Sequence, residues 1–197
     1  GERWLDLCAG PGGKTAVLAA CAAAASITLV ANEVLPHRAE LVRRSILPFL
    51  GGVTISVADG RELCASNPGV FDRVLVDAPC TGLGALRRRP ESRWRKSIDD
   101  VPQLVTLQRD LLSAALGAVA VGGVVAYVTC SPLTAETVEV VEWVLSRHRE
   151  AEALDTVPVI TQVAPSLTNA RRGNAVQLYP HRHHTDAMFV QLIRRTR

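Results

Sequence analysis

The sequence predicts a single α/β domain over residues 1–197, with a mostly parallel β-sheet and helices on both faces. Short apolar segments alternate with longer segments of helical pattern along most of the 197 residues. Such alternation is typical of parallel sheets whose strands are connected by helices. Glycines or acidic residues follow several of the apolar segments, and ligands bind at this carboxyl end of the strands in such sheets.

The first half of the chain contains four predicted strands separated by helices. In chain order, the strands are Trp4–Cys8, Ile27–Glu33, Val53–Ala58 and Phe71–Asp77. The segment Lys14–Ala25 is rich in alanine, the residue with the highest helix propensity. Proline is favoured in the first turn of a helix, so a second helix is expected from Pro36 to about Leu47.

The second half begins with a predicted polar loop over residues 79–100. The remaining elements are, in chain order, a helix over Val101–Val121, a strand over Val124–Thr129, a helix over Leu133–His148 and a strand over Asp186–Leu192. Gly122 and Gly123 are expected to end the first of these helices, because glycine disfavours helix interiors.

Composition excludes several classes of protein. No apolar run reaches the ~20 residues of a membrane span, and the first residues do not have the pattern of a secretory signal. The five cysteines contain no Cys-x-x-Cys pair, so the spacing supports neither a disulfide framework nor a metal site. We therefore expect a cytoplasmic protein with no metal and no membrane partner.

The loop after the first strand reads Cys8-Ala9-Gly10-Pro11-Gly12-Gly13-Lys14. A P-loop requires glycine where Cys8 stands, and a dinucleotide-binding fingerprint requires glycine where Thr15 stands. The spacing of Asp6, Gly10 and Gly12 instead fits the acidic-x-Gly-x-Gly-x-Gly loop of methyltransferases, with cysteine in place of the first glycine. A tight turn without a ligand is the structural alternative.

In the methyltransferase interpretation, the glycines allow S-adenosylmethionine to approach the backbone, and the helix start offers N–H groups to its carboxylate. Glu33, at the end of the second strand, would accept hydrogen bonds from the two ribose hydroxyls. Asp59, after the third strand, would accept from the adenine amino group.

Two cysteines follow neighbouring strands of the predicted sheet. Cys80 lies in Asp77-Ala78-Pro79-Cys80, and Cys130 directly follows the fifth strand. A thiolate that adds to carbon 6 of a pyrimidine makes carbon 5 nucleophilic enough to accept a methyl group. Asp77 would hold the cytosine amino group and stabilise charge on ring N3. The residues alone leave either cysteine as the nucleophile, whereas Cys21 and Cys64 are expected to be inert core residues.

Other functions remain as alternatives. Methyltransferases that act on exocyclic nitrogen carry Asp/Asn-Pro-Pro-aromatic after the fourth strand, and Asp77-Ala78-Pro79-Cys80 differs from that motif. An RNA-binding domain that keeps the fold without turnover is a further alternative, which the presence of both cysteines disfavours.

Three motifs in the same order strongly resemble the Sun/NOL1/NOP2 family of RNA cytosine-5 methyltransferases, and within it the bacterial small-subunit ribosomal RNA methyltransferase B branch. They are Leu5–Thr15, Asp77–Gly82 and Thr129–Ser131, and the resemblance spans nearly the whole chain. It implies a Rossmann-like class I S-adenosylmethionine-dependent methyltransferase fold. It also implies methylation of carbon 5 of a cytosine in RNA, with 16S ribosomal RNA as the expected substrate and transfer RNA as the alternative.

The resemblance also implies roles for individual residues. Cys130 is then the nucleophile, Cys80 assists release of the methylated RNA, and Asp77 and Lys14 complete the catalytic set. The implied cofactor-binding residues are Cys8, Ala9, Gly10, Pro11, Gly12, Gly13, Lys14, Glu33, Asp59 and Asp77. Because the family carries RNA-binding modules ahead of its catalytic core, the resemblance implies that this chain is the catalytic domain alone. We expect it to be a monomer.

A cluster of basic residues follows the Pro79-Cys80 motif. The predicted RNA-binding residues are Arg87, Arg88, Arg89, Arg93, Trp94 and Arg95, and Lys96 extends the cluster. Clustered charge binds phosphates, and tryptophan stacks on unpaired bases. The alternative is a solvated loop with a packing tryptophan. The histidines of the second basic stretch, residues 181–184, are expected to be structural or to face RNA.

Overall fold

The structure is a computed structural model that describes residues 1–95 and 97–197. The chain divides into two compact units. The first contains Gly1–Asp77, Ala114–Val125 and Arg195–Arg197, and the second contains Ala78–Ser113 and Ala126–Arg194. Helix α5 (Val101–Ala118) and strand β5 (Val119–Thr129) therefore contribute residues to both units.

The elements of the first unit, besides those shared with the second, are β1 Arg3–Asp6, α1 Gly13–Ala25, β2 Thr28–Asn32, α2 Pro36–Ser45, the 3₁₀ segment Leu47–Gly52, β3 Val53–Ser56, α3 Gly60–Ala65 and β4 Phe71–Asp77. Its strands lie in the order β3-β2-β1-β4-β5. Strands β3, β2, β1 and β4 are parallel. The loops that follow these four strands therefore lie at one edge of the sheet, as the sequence predicts.

Helix and strand contacts in this unit follow from the sequence pattern. Ala19 and Ala22 of α1 are buried against Leu29 of β2, because only small side chains allow close approach of the helix. Ile46, which follows α2, joins the same cluster and is fully buried. Burial of such aliphatic side chains contributes about 25 cal/mol per Å² of apolar surface.

The elements of the second unit, besides those shared with the first, are α4 Ser92–Arg95, α6 Val138–Arg147, β6 Ala151–Ala153, α7 Val157–Val163, β7 Arg171–Arg172, β8 Ala175–Gln177, α8 Pro180–His183 and β9 Phe189–Arg195. Its strands lie in the order β5-β9-β8-β7, with β6 paired to β9. The β7-β8 and β8-β9 pairs are antiparallel. Tyr127 and Phe189 are both fully buried in the core of this unit, where their rings pack edge to face with centroids 6.2 Å apart.

Several predicted elements differ from those in the structure. Gly122 and Gly123 do not end a helix, because α5 ends at Ala118 and both glycines lie within β5. Gly122 has φ 83°, and a Cβ at Gly123 would lie 2.7 Å from the carbonyl oxygen of Asp72. The predicted helix over Leu133–His148 is two elements, a 3₁₀ turn over Thr134–Glu136 and then α6. The last strand lies three residues later than predicted, and 3₁₀ turns and α4 interrupt the predicted loop over residues 79–100.

Within the described ranges, no helix is both long and apolar enough to cross a lipid bilayer. All five cysteines are free thiols. Cys64 is buried as predicted, but the prediction for Cys21 is wrong, because its side chain is exposed on α1.

Candidate active site

The glycine-rich loop of the first unit joins β1 to α1. Gly12 has φ 111°, a conformation that side chains rarely adopt, and a Cβ there would lie 2.7 Å from the Ser45 hydroxyl. In the described structure α1 has no side-chain N-cap and no acidic residue in its first turn. Its first N–H groups and the positive end of the helix dipole are therefore suited to an anionic group.

Glu33, directly after β2, holds the loop in place. Its side chain is 4% exposed, and it accepts hydrogen bonds from the backbone N–H groups of Gly10 (3.1 Å) and Leu35 (3.0 Å). Arg38 lies 3.5 Å from the Glu33 carboxylate and donates a 2.6 Å hydrogen bond to the Gly10 carbonyl. A Cβ at Gly10 would collide with the Glu33 carboxylate, so a larger residue there would displace the Glu33 side chain.

Asp59, after β3, is the N-cap of α3. Its carboxylate accepts from the Arg61 backbone N–H at 2.9 Å and from the Arg61 guanidinium Nε at 3.0 Å. These hydrogen bonds hold the pKa of Asp59 below its ordinary value. A bound adenine would therefore share this carboxylate with Arg61.

Asp6 is a buried carboxyl at the end of β1. Its Oδ2 accepts a 2.7 Å hydrogen bond from the Thr15 hydroxyl, while its buried Oδ1 has no partner among the described residues. Burial raises the pKa of Asp6 to about 6. Burial also raises the pKa of the neighbouring Cys8 thiol well above the ordinary range, which argues against a reactive thiolate at Cys8.

Lys14 and Asp77 form an ion pair in the first unit. The Lys14 Nζ lies 2.7 Å from Asp77 Oδ2, and the two side chains are 45% and 26% exposed. Lys14 is the second residue of α1 and Asp77 ends β4, so the sheet brings together two residues that the sequence predicts as catalytic.

In the second unit, the two predicted catalytic cysteines face each other. Their Sγ atoms are 3.4 Å apart, although 50 residues separate them. The Ala78 N–H donates to the Val128 carbonyl at 2.9 Å, which aligns the two segments that lead to the cysteines. The hydrogen bond with Cys130 raises the pKa of the Cys80 thiol, and burial raises it further.

A fully buried glutamate beside this pair was not predicted from the sequence. Glu136 accepts hydrogen bonds from Thr81 and Ser131, the residues that directly follow Cys80 and Cys130. Its signal in the sequence is weak, because a glutamate in the first turns of a predicted helix is usually solvated.

The predicted RNA-binding residues lie in the second unit, and they fall into two groups. Asp186 is buried and binds the guanidinium groups of Arg87 (3.0 Å) and Arg88 (2.8 Å). These hydrogen bonds lower the pKa of Asp186, and the one from Arg88 has the largest effect. Both arginines remain at least half exposed, at 50% and 57%, so their outer faces are open to solvent.

The second group surrounds Trp94. This side chain is 79% exposed, so the interpretation as a packing tryptophan is wrong. The Arg93 guanidinium lies 4.8 Å from the centre of its ring, and Arg89 is also exposed. The Arg95 side chain and Lys96 lie outside the described residues.

The histidine stretch is structural at one position. The Tyr179 N–H donates to His183 Nδ1 at 2.9 Å, so the ring proton is on Nε2, which lies 3.0 Å from the Thr168 carbonyl. Arg171 and Arg182 line a cavity of about 620 Å³ beside Thr168 and Asn169.

Among the described residues, no three His, Cys, Asp or Glu side chains lie close enough together to hold a metal ion.

A glycine loop after β1, an acid after β2 and a parallel sheet of this order define a Rossmann-like methyltransferase. The family of 16S rRNA methyltransferases RsmB/F matches residues 1–194, and the chain belongs to this family. The resemblance stated from the three motifs and the fold class are thereby confirmed. S-adenosylmethionine is the methyl donor of this class, so the predicted cofactor is confirmed as well.

Curated relatives share the family. Rv1407 of Mycobacterium tuberculosis, named as a methyltransferase, is 54% identical over 195 residues, or 98% of this chain and 40% of its own length. Ribosomal RNA small subunit methyltransferase B of Pectobacterium atrosepticum is 35% identical over 192 residues, or 96% of this chain and 41% of its own. The chain thus spans about two fifths of the length of these relatives.

Solved structures share the fold. The crystal structure of PH0851 is 31% identical with a TM-score of 0.86, covering 99% of this chain and 43% of its own. The structure of NSun6 from Pyrococcus horikoshii with SFG is 24% identical with a TM-score of 0.81, covering 100% of this chain and 48% of its own.

Proposed function

We propose that this chain transfers a methyl group to carbon 5 of a cytosine in RNA, with 16S ribosomal RNA as the substrate. The observation that carries the proposal is the 3.4 Å separation of the Cys80 and Cys130 thiols, each a few residues after a strand of the fold. A second thiol beside a nucleophilic thiol suits a reaction in which a covalent bond to the substrate must form and then break.

The residues of the first unit fit S-adenosylmethionine. The backbone of Cys8–Gly13 and the uncapped start of α1 would receive its carboxylate end, with Lys14 and Asp77 beside them. The unpartnered Oδ1 of Asp6 is suited to the cofactor's ammonium group. Glu33 and Asp59 would accept from the ribose hydroxyls and the adenine amino group. When bound, the cofactor supplies an electrophilic methyl group on a sulfonium ion.

Cys130 is the nucleophile in this proposal. The raised pKa of Cys80 keeps that thiol protonated, and a protonated Cys80 donates its hydrogen bond to a thiolate at Cys130. Such a hydrogen bond favours the charged form of its acceptor. The distance supports the pairing, while the family resemblance supports the assignment of the two roles.

The Cys130 thiolate forms a bond to carbon 6, and the electron pair of the carbon 5–carbon 6 bond makes carbon 5 nucleophilic. In its protonated form, Asp77 would accept a hydrogen bond from the cytosine amino group and donate one to N3, where negative charge develops. Once carbon 5 carries the methyl group, loss of its proton restores the double bond and expels the thiolate. Cys80 assists this release.

RNA is held by exposed basic residues of the second unit. Arg87 and Arg88, oriented by Asp186, and Arg89 and Arg93 would bind phosphates, while Trp94 would stack on an unpaired base. From the sequence, Arg95 is proposed to join them. We further propose that residues 1–197 together form the catalytic domain of a cytoplasmic protein and act as a monomer.

A trapping experiment tests the proposal. The chain is incubated with S-adenosylmethionine and RNA containing 5-fluorocytidine, which blocks the final proton loss, and a covalent adduct is sought on a denaturing gel. We expect the adduct with wild type and with Cys21→Ser, and none with Cys130→Ala. An adduct with Cys130→Ala contradicts the nucleophile assignment.

Two further experiments test the release role of Cys80 and the identity of the RNA substrate. Cys80→Ala should accumulate adduct with unmodified RNA, because release is slowed; wild-type behaviour of this variant contradicts the release role. Small-subunit ribosomal RNA and transfer RNA transcripts are compared as substrates, and mass spectrometry of the nucleosides tests for 5-methylcytidine. Methylation of transfer RNA alone would contradict the ribosomal assignment.

A further inference from the structure

Glu136 is a fully buried carboxylate that accepts four hydrogen bonds in the second unit. Its Oε1 accepts from the Thr81 backbone N–H at 2.8 Å and from Gln108 Nε2 at 3.1 Å. Its Oε2 accepts from the hydroxyls of Thr81 at 2.6 Å and Ser131 at 2.5 Å. Each carboxylate oxygen therefore has two donors.

This arrangement is unusual for a buried acid. Buried carboxylates are ordinarily paired with a cation, because desolvation of an unpaired charge is costly. The four donors given above are one backbone amide, one side-chain amide and two hydroxyls, all of them uncharged. Neutral donors of fixed direction satisfy the carboxylate only if each is held in place, so the network constrains its members.

The constrained members adjoin both thiols. Thr81 directly follows Cys80, and Ser131 directly follows Cys130, so a single side chain is bonded to the residue next to each thiol. Gln108 extends the network to the other side of Cys80, because its Nε2 also donates to the Pro79 carbonyl at 2.8 Å.

The backbone of Glu136 is also held in place by a hydrogen bond. The Tyr127 hydroxyl, at 0% exposure on β5, donates to the Glu136 backbone carbonyl at 2.8 Å. The 3₁₀ turn over Thr134–Glu136 is thereby fixed to the strand that leads to Cys130. The backbone of Glu136 is thus fixed in position, and its carboxylate accepts from four donors.

We propose that Glu136 is a positioning residue for the thiol pair: through Thr81 and Ser131 it sets the distance and orientation between Cys80 and Cys130. The consequence for catalysis rests on the proposed function, whereas the consequence for the thiols themselves does not. Glu136 also contributes through its charge to the raised pKa of Cys80, after the Cys130 hydrogen bond, burial and the Cys130 charge.

The thiol geometry is tested directly with phenylarsine oxide. This reagent condenses with two neighbouring thiols, forming two As–S bonds and releasing one water, and it binds single thiols far more weakly. We expect wild type to bind it through Cys80 and Cys130, as mapped by peptide mass spectrometry. Glu136→Ala should bind it roughly a hundredfold more weakly, because the gain from bridging is lost.

The matched control is Glu139→Ala, an exposed glutamate three residues further on, which should bind the reagent like wild type. Glu136→Gln should remain within about threefold of wild type, because its carbonyl and amide can keep the bridge when the two hydroxyls reverse their hydrogen bonds. Wild-type binding by a folded Glu136→Ala, or equal loss in Glu136→Gln and Glu136→Ala, overturns the proposal.

If Glu136→Ala does not unfold cooperatively on heating, the double variant Thr81→Val, Ser131→Ala replaces it. This variant keeps the glutamate and removes two of its four donors, so binding of the arsenical should weaken by about tenfold. Unchanged binding in the double variant counts against the proposal in the same way.

Methylation kinetics distinguish failure of the positioning role of Glu136 from failure of the proposed function. Glu136→Ala should lower kcat for methylation while leaving the KM for RNA and the dissociation constant for S-adenosylmethionine unchanged. If wild type makes no 5-methylcytidine but Glu136→Ala loses arsenical binding, the proposed function fails and the positioning role stands. If wild type is active and the variant keeps both arsenical binding and kcat, the positioning role fails alone.

Discussion

The Sγ atoms of Cys80 and Cys130 lie 3.4 Å apart in a structure in which both are free thiols. A disulfide needs a separation of about 2.05 Å, so small side-chain movements of the two cysteines suffice to form one. The same proximity that suits covalent catalysis thus makes the pair sensitive to oxidation.

We expect diamide to join Cys80 to Cys130, as the two thiols give up two hydrogen atoms and the reagent accepts them. Methyl transfer should be lost on treatment and restored by dithiothreitol. Peptide mass spectrometry identifies the linked residues, and Cys21→Ser, which removes the exposed thiol of α1, is the control. Unaltered free thiols at positions 80 and 130 after treatment would contradict the prediction.

The ion pair of Lys14 with Asp77 predicts a loss of activity without a comparable loss of stability. Lys14→Met should lower kcat about a hundredfold, because a positioned charge beside Asp77, the proposed catalytic carboxylate, is removed. The free energy of unfolding should change by less than about 1 kcal/mol, since the pair is partly exposed. Urea unfolding and methylation rates measure the two effects.

Arg73→Met is the matched control for Lys14→Met. Arg73 forms a similar exposed pair with Glu2, at 3.0 Å, in the same unit. It should change stability as little as Lys14→Met does and leave kcat unchanged. Equal kcat values in the two variants would show that the Lys14 pair is structural only.

The four strands of the first half and the glycine-rich loop after β1 were predictable because they follow from local patterns, although β1, β2 and β3 end one or two residues earlier than predicted. The bounds of β4, Phe71–Asp77, agree with the prediction, since the apolar run Val74–Val76 leads directly to the acidic residue that ends the strand. The start of β5 was not predictable, because buried apolar residues such as Val119 suit a helix and a strand equally. Here the long-range pairing of the strand decides the conformation.

The candidate site divides in the same way. Cys80 and Cys130 were predictable as neighbours, because they follow neighbouring strands. Glu136 was not, since its burial depends on Thr81 and Gln108, which are distant in sequence and donate to it only in the folded chain. Trp94 illustrates a third case: the sequence allowed packing or exposure, and only the structure distinguishes them.

Trp94 and Arg88 should contribute to RNA affinity in different ways. Trp94→Ala should weaken binding of single-stranded RNA roughly tenfold at every salt concentration, because stacking is lost. The logarithm of RNA affinity falls as the logarithm of the salt concentration rises. In Arg88→Ala this fall should be less steep by about 0.7, because one phosphate contact is lost. Fluorescence anisotropy at several salt concentrations measures both.

The exposed Val163, 82% accessible on α7, supplies a control, because Val163→Ala removes exposed apolar surface without removing charge or an aromatic ring. It should bind RNA like wild type. A salt slope that changes in Trp94→Ala but not in Arg88→Ala would reverse the two assigned roles.

Burial of Asp6 predicts a specific pH dependence of stability. Its pKa is raised from 3.8 to about 6, so the folded chain holds this proton more tightly than the unfolded chain does. The resulting stability is fully present below pH 4 and is lost as the pH rises through about 6. In Asp6→Asn the group does not titrate, and the asparagine carbonyl can still accept from Thr15.

The free energy of unfolding of wild type minus that of Asp6→Asn should therefore fall by about 2 kcal/mol between pH 4 and pH 7. Asp155→Asn gives a comparison of opposite sign. Arg171 lowers the pKa of Asp155, so stability from that carboxylate is present above its unfolded pKa and is lost as the pH falls through its folded pKa. Urea unfolding of the three proteins from about pH 2 to about pH 7 measures both differences, because the Asp155 contribution changes only below its unfolded pKa of 3.8. A difference for Asp6→Asn that stays constant with pH would mean that the carboxyl titrates alike in the folded and unfolded chains.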